Sequence, residues 1–121
     1  MHYVFVYGTL MKNERNHHLL NDNDFVCNAS LDNYYMFNLK RYPGIIKGSG
    51  KILGEVYNVD DSTFSSLDYL EDEGILYKKV LVDVKLENNE TIKAYVYEYL
   101  FEKIEDKLHL DIYSWKEIKK V

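Results

Sequence analysis

The chain has 121 residues, of which 46% are hydrophobic and 29% charged, and its 15 basic and 20 acidic side chains leave a net charge of −5. That size and balance fit one domain over residues 1–121, long enough to bury about two-thirds of the surface its unfolded chain exposes. The negative charge disfavours a general nucleic-acid binder, the lone Cys27 excludes an internal disulfide or a CxxC metal pair, and no apolar run reaches the ~18 residues of a membrane helix.

Residues 2–7 form a near-continuous apolar run, the pattern of a strand buried on both faces, and it runs into Gly8. The polar stretch from Lys12 to Asp24, with Leu19-Leu20 as a contact pair, predicts a short helix. Residues 25–39 read as strand material interrupted near Asp32-Asn33. The only proline, Pro43, and four of the six glycines (Gly44, Gly48, Gly50 and Gly54) fall between 43 and 54, which predicts a loop-rich centre. Strand returns from Ile52 to Val59.

Asp60 or Asp61 then caps a helix running through Leu70, because Phe64, Leu67 and Leu70 recur at helical spacing behind an Asp-Ser-Thr start. Val80, Val82, Val84 and Leu86 alternate with polar residues, Asn88-Asn89 supplies a turn, and Ile92, Ala94 and Val96 alternate again, which is a β-hairpin. From Phe101 the tail is mixed, with Trp115 expected to pack back on the body beside Tyr113 and Ile118. Short helices among more numerous strands argue for an α+β fold around a curved or closed sheet. The twelve tyrosines suit cross-strand packing in such a fold. The start Met1-His2-Tyr3 has no basic leader region, so the cytoplasm is the expected location.

Two stretches carry chemistry. At Tyr7-Gly8-Thr9-Leu10 a buried strand turns on a glycine, which either simply ends the strand or offers backbone N–H groups to an anion. Glu71, in Glu71-Asp72-Glu73, is either part of a solvated acidic end or a general base, with Glu73 as its neighbour and competitor. Tyr7 and Tyr97 read equally as pocket walls and as core. Other suggestive patterns fail on spacing. Near Gly44–Lys51 a P-loop would need glycine where Ile45 stands and Ser or Thr where Ile52 stands. His17 and His18 are adjacent rather than one helical turn apart, so they do not form a metal pair. Cys27 reads as a small packed residue.

The ordered set of Tyr7-Gly8-Thr9-Leu10, Asn16-His17, Tyr42-Pro43, Gly54-Glu55-Val56-Tyr57, Leu67-Asp68-x-x-Glu71, Tyr77 and Tyr95-Val96-Tyr97 resembles the γ-glutamylcyclotransferase superfamily, in particular its short γ-glutamylamine cyclotransferase branch. The likeness covers roughly residues 2 to 99. It implies a small mixed β-barrel with short helices outside. It also implies a small-molecule γ-glutamyl substrate that is cyclised to 5-oxoproline with release of an amine, needing no cofactor or metal and involving neither nucleic acid nor membrane. In that frame Glu71 is the acid/base, and Tyr7, Gly8, Thr9, Leu10 and Tyr97 hold the substrate. A γ-glutamyl amide hydrolase and a non-catalytic binder of small carboxylates or amines are the alternatives. The chain departs from the family pattern in lacking a proline before Tyr77 and in placing Lys79 where relatives carry arginine, which predicts a weaker brace for the acidic helix. The extra acids Asp72 and Glu73 predict a more negative pocket mouth.

Overall fold

A computed structural model describes residues 1–20, 23–101 and 110–120. Five strands, β1 (His2–Val6), β2 (Asp24–Asn38), β3 (Pro43–Val59), β4 (Tyr77–Leu86) and β5 (Thr91–Tyr99), run in the order β1-β5-β4-β2-β3, and a β1–β3 pairing closes the ring. All contacts in the ring are antiparallel except β1–β5, so this is a small mixed barrel. The short strand β6 (Ile112–Tyr113) adds in parallel to β3 at Lys51 and Ile52. Helices α1 (Asp61–Leu70) and α2 (Trp115–Ile118) lie outside, with one 3-10 turn at His17–Leu20.

β1 is apolar on both faces because it has neighbours on both edges and packing on both sides. Val4 faces Tyr57 of β3 and Tyr95 of β5, and Val4, Phe5 and Val6 are all buried. The β4–β5 hairpin pairs Tyr77 with Tyr99 through to Lys85 with Thr91, as the alternating pattern predicts. Asp60 is the helix cap, accepting from the N–H of Thr63 at 2.7 Å, whereas Asp61 contacts His2 at 2.6 Å. Tyr113, Trp115 and Ile118 are buried against the body. Among the described residues no helix is long and apolar enough to cross a membrane.

One local expectation is corrected and two are refined. The centre from 43 to 54 is not loop but the first two-thirds of β3, a strand that starts at Pro43, where a missing N–H is tolerated. Its glycines answer to crowding from across the sheet. A Cβ on Gly48 would lie 2.0 Å from the Tyr35 ring, one on Gly50 2.5 Å from Tyr113, and one on Gly54 2.4 Å from the Val6 carbonyl oxygen. The interruption near Asp32-Asn33 is a bulge within the continuous strand β2, with Asn33 at φ 70°. Between Lys12 and Asp24 only His17–Leu20 is helical; residues 21 and 22 lie outside the described residues, as do 102–109 of the tail.

The Gly54 contact generates a test. Gly54→Ala drives a methyl into backbone, which cannot rotate away, so the variant is expected to lose about 1–3 kcal/mol of stability. Urea unfolding should show a lower midpoint at unchanged slope, and an unchanged midpoint would refute the crowding.

Candidate functional site

Where β1 leaves the barrel, residues 7–16 fold into a loop whose own carbonyls are taken. The N–H of Met11 donates to the Gly8 oxygen (3.1 Å), the N–H of Asn16 to the Thr9 oxygen (2.9 Å), and His17 Nδ1 lies 2.9 Å from the Leu10 oxygen. That acceptor requires the proton on Nδ1. Asn16 Nδ2 also donates to Thr9 Oγ1 at 3.0 Å, so Asn16-His17 serves to brace the loop. From behind, Glu55 Oε1 accepts the N–H of Lys12 and the hydroxyl of Tyr57, each at 3.0 Å. Among the described residues, the N–H groups of Gly8, Thr9 and Leu10 have no protein acceptor. Gly8 has to be glycine here, since a Cβ would sit 2.6 Å from Cγ of Pro43.

Helix α1 delivers the carboxylate. Glu71 is its C-cap, with its N–H bonded to the Leu67 oxygen at 3.0 Å. Asp72 at φ 48° and Gly74 at φ 90° then reverse the chain into β4. The Glu71 side chain lines a cavity together with Tyr7, Gly8, Thr9 and Leu10, and with Tyr97 across the barrel mouth. The cavity is small: its empty space, the open solvent at its mouth included, is about 360 Å³. Among the described residues the carboxylate has no ion-pair or hydrogen-bond partner. Burial, and then the charge of Asp72, push its pKa up to about 7. Glu73, by contrast, is exposed and accepts from the Lys79 N–H at 3.3 Å.

Tyr7 and Tyr97 turn out to be core and cavity wall at once, 7% and 3% exposed while lining the space. The Tyr7 hydroxyl donates to the Tyr97 carbonyl and the Tyr97 hydroxyl to Asp68 Oδ1, both at 2.6 Å. Lys79 Nζ holds the other Asp68 oxygen at 2.9 Å and lies 3.9 Å over the Phe64 ring. The lysine therefore braces the acidic helix through one ion pair and a cation–π contact, without the two-pronged grip of an arginine. Tyr77, Tyr42 and Pro43 complete the wall, and the Tyr77 hydroxyl donates to the Pro43 carbonyl at 2.6 Å. Burial raises the pKa of Tyr7, Tyr77 and Tyr97 well above the usual phenol value, so all three remain neutral donors.

Sequence reasoning missed Tyr42, Pro43 and Tyr77 as parts of the wall; it read Lys79 as a brace of the acidic helix but did not name Asp68 as its partner. Tyr42-Pro43 and Tyr77 stood in the family-like set only as markers, and the Asp68–Lys79 pair joins residues on different elements. Among the described residues no group of three or more His, Cys, Asp or Glu side chains is placed to hold a metal ion.

The family model described as "Gamma-glutamyl cyclotransferase, AIG2-like" matches residues 4–117. The chain is similar to the gamma-glutamylcyclotransferase family protein YtfP of Escherichia coli K12, 37% identical over 79 residues, covering 65% of this chain and 70% of that protein. Among solved structures, a Pyrococcus horikoshii protein superposes with a TM-score of 0.76 at 28% identity, covering 99% of this chain and 94% of that one. The AIG2-like protein of Mus musculus superposes with a TM-score of 0.82 at 23% identity, covering 94% and 88%, a likeness of fold.

The raised pKa of Glu71 has a signed consequence for stability. A carboxyl that binds its proton more tightly when folded contributes stability that is present in full below its unfolded pKa of 4.5 and is lost as pH climbs to about 7. Glu71→Gln stays neutral throughout. The melting temperature of the wild type should therefore fall relative to that of the Gln variant between about pH 4.5 and about 7, then run parallel above. Parallel curves across the whole range would mean that Glu71 is not desolvated.

Proposed function

Because the chain belongs to the gamma-glutamyl cyclotransferase, AIG2-like family, we propose that it cyclises the γ-glutamyl group of a small amide, releasing 5-oxoproline and a free amine. The observation that supports this most is the unpartnered carboxylate of Glu71, titrating near neutrality, in one cavity with the unused N–H groups of Gly8, Thr9 and Leu10.

The chemistry needs little more. The substrate's α-ammonium gives a proton to the Glu71 carboxylate, and the freed amine attacks its own γ-carbonyl carbon. A five-membered ring closes through a new C–N bond, and the carbonyl oxygen takes the charge. The old amide C–N bond then breaks as protonated Glu71 hands its proton to the departing nitrogen. The ring nitrogen then gives its second proton to the Glu71 carboxylate, which passes it to the released amine; the amine leaves as an ammonium ion and Glu71 ends as the carboxylate it began as. A carboxyl with pKa about 7 suits both halves of this exchange at neutral pH. The nucleophile is held within the substrate, so positioning supplies a large share of the rate. The N–H groups of residues 8–10 take the α-carboxylate or the developing oxyanion, and they act strongly in a site largely closed to water. Tyr7 and Tyr97 confine the head group.

Glu71→Gln should lower turnover by about 10² to 10⁴, the usual worth of a positioned acid/base, while 5-oxoproline still binds by calorimetry. For the wild type, kcat/KM should rise with pH through about 7 as the carboxylate forms. Free glutamate as the product would instead identify a hydrolase, with Glu71 activating water. Near-normal turnover by the Gln variant would remove Glu71 from the role and direct the same test to Glu73.

A further inference from the structure

Lys79 and Tyr97 are cross-strand partners on the β4–β5 hairpin, and both reach α1. Each ends on the same side chain. Tyr97 donates its hydroxyl to Asp68 Oδ1 at 2.6 Å, and Lys79 places Nζ 2.9 Å from Asp68 Oδ2. Asp68 stands three residues before Glu71, about one turn back on the same helix. One carboxylate therefore takes both donors, while the next takes none among the described residues.

The other groups around Glu71 also leave it alone. From β1, Tyr7 spends its hydroxyl on the Tyr97 carbonyl, and at the start of β4 Tyr77 spends its own on the Pro43 carbonyl. Tyr42, in the loop before β3, lines the cavity and an outer groove on the far side of Glu71, and has no protein hydrogen bond among the described residues. Arg15 lines that groove from the loop after β1, and among the described residues it forms no ion pair. In the turn beyond α1, Asp72 adds only repulsion, and Glu73 is exposed and accepts from the N–H of Lys79.

Two of the three occupied phenols thus rest on backbone carbonyls, which any sequence supplies. Tyr97 alone depends on a side chain. Its ring is buried and its hydroxyl feels the charges of Asp68 and then of Glu71. A buried hydroxyl deprived of its acceptor turns to the next one within reach. Without Asp68 that is the Glu71 carboxylate, whose half-buried side chain has no partner to hold it elsewhere.

We infer that Asp68 is a positioning residue that holds the Tyr97 hydroxyl, and with it the Lys79 ammonium, away from Glu71, so that this carboxylate stays free for the substrate's own ammonium. What Glu71 does rests on the cyclotransferase reading; what Asp68 does to Glu71 does not.

The test follows the acid limb of the kcat/KM profile for a γ-glutamyl amide, which in the wild type lies at about 7. Asp68→Ala should lower it by about one unit or more, because a donor or cation on a carboxylate favours its charged form. Tyr97→Phe added to Asp68→Ala should bring the limb about halfway back or further, which loss of the Asp68 charge alone would not allow. Lys79→Met breaks the brace of α1 but leaves Tyr97 on Asp68, so it should reduce turnover without lowering the limb. An unmoved limb in Asp68→Ala, a fall that Tyr97→Phe does not reverse, or the same fall in Lys79→Met overturns the role. If Asp68→Ala does not fold, Asp68→Asn replaces it. Its amide oxygen keeps the Tyr97 bond and frees only Lys79, so the limb should fall by less and Lys79→Met should reverse the fall; no reversal overturns the role. If no compound yields 5-oxoproline, the cyclisation reading fails instead. The same variants are then titrated by carbon NMR of labelled glutamate carboxyls, with the Glu71 signal identified by its loss in Glu71→Gln. The same pattern of shifts upholds the role of Asp68, and unshifted titrations overturn it.

Discussion

The site depends on one constraint, that β1 is hydrogen-bonded along both edges. Pairing with β3 on one side and β5 on the other closes the barrel and leaves β1 no freedom of register. Register in turn decides where the strand stops, so residues 7–10 emerge at a defined point of the rim. The same closure brings Tyr97 of β5 under the Tyr7 hydroxyl and Pro43 of β3 against Gly8. A one-residue slip in either pairing would point Tyr7 outward and uncouple the turn from the acidic helix. The cavity is a consequence of ring closure rather than a separate construction.

Burial then sets the electrostatics. Three of the four phenols that wall the barrel mouth spend their hydroxyls on protein acceptors: Tyr7 on a carbonyl, Tyr77 on another, Tyr97 on Asp68. With Asp68 occupied by Tyr97 and Lys79, no described cation or hydroxyl reaches Glu71 to compensate its charge. Glu55 and Glu98 show the contrast. Both are buried, where Glu71 is half-buried, and Glu55 accepts two hydrogen bonds while Glu98 has the Tyr34 hydroxyl at 2.8 Å and Lys78 at 3.8 Å. Of these three carboxylates, the one without a protein partner among the described residues lines the cavity.

Features that depend on neighbours in sequence were legible in it. The β4–β5 hairpin follows from a period of two, α1 from its Asp-Ser-Thr start, and β1 from a run apolar on both faces. The strand at 43–54 was not legible, because its glycines are explained by Tyr35, Tyr113 and the Val6 carbonyl, which lie across the sheet, and local rules read such glycines as turns. The stretch after Lys12 looked helical by composition but is held as turns by bonds from Met11, Asn16 and His17 back to residues 8–10. For the site, the motif spacing named Glu71 and the turn. The family likeness pointed to Lys79 as a brace of the acidic helix, but neither its partner Asp68 nor the Tyr77–Pro43 contact was named, since both link separate elements. The acidic run at 71–73 suggested a negative mouth, and only the loops at 13–15 and 39–41, brought together in space, place cations beside it.

The β1–β5 pairing also orders events in time. Val4 and Tyr95 are partners, yet 90 residues lie between them in sequence and must be made before they can pair. Until β5 arrives, β1 has at most one neighbour, and an apolar strand with an open edge is a hazard in a crowded cell. Parallel pairing across such a distance carries a large loop-closure cost and comes slowly. The cavity, which needs β1 and β5 at once, therefore forms only after the β4–β5 hairpin is made. A nascent or truncated chain has no half-formed pocket, and any molecule that binds the cavity stabilises only the completed ring.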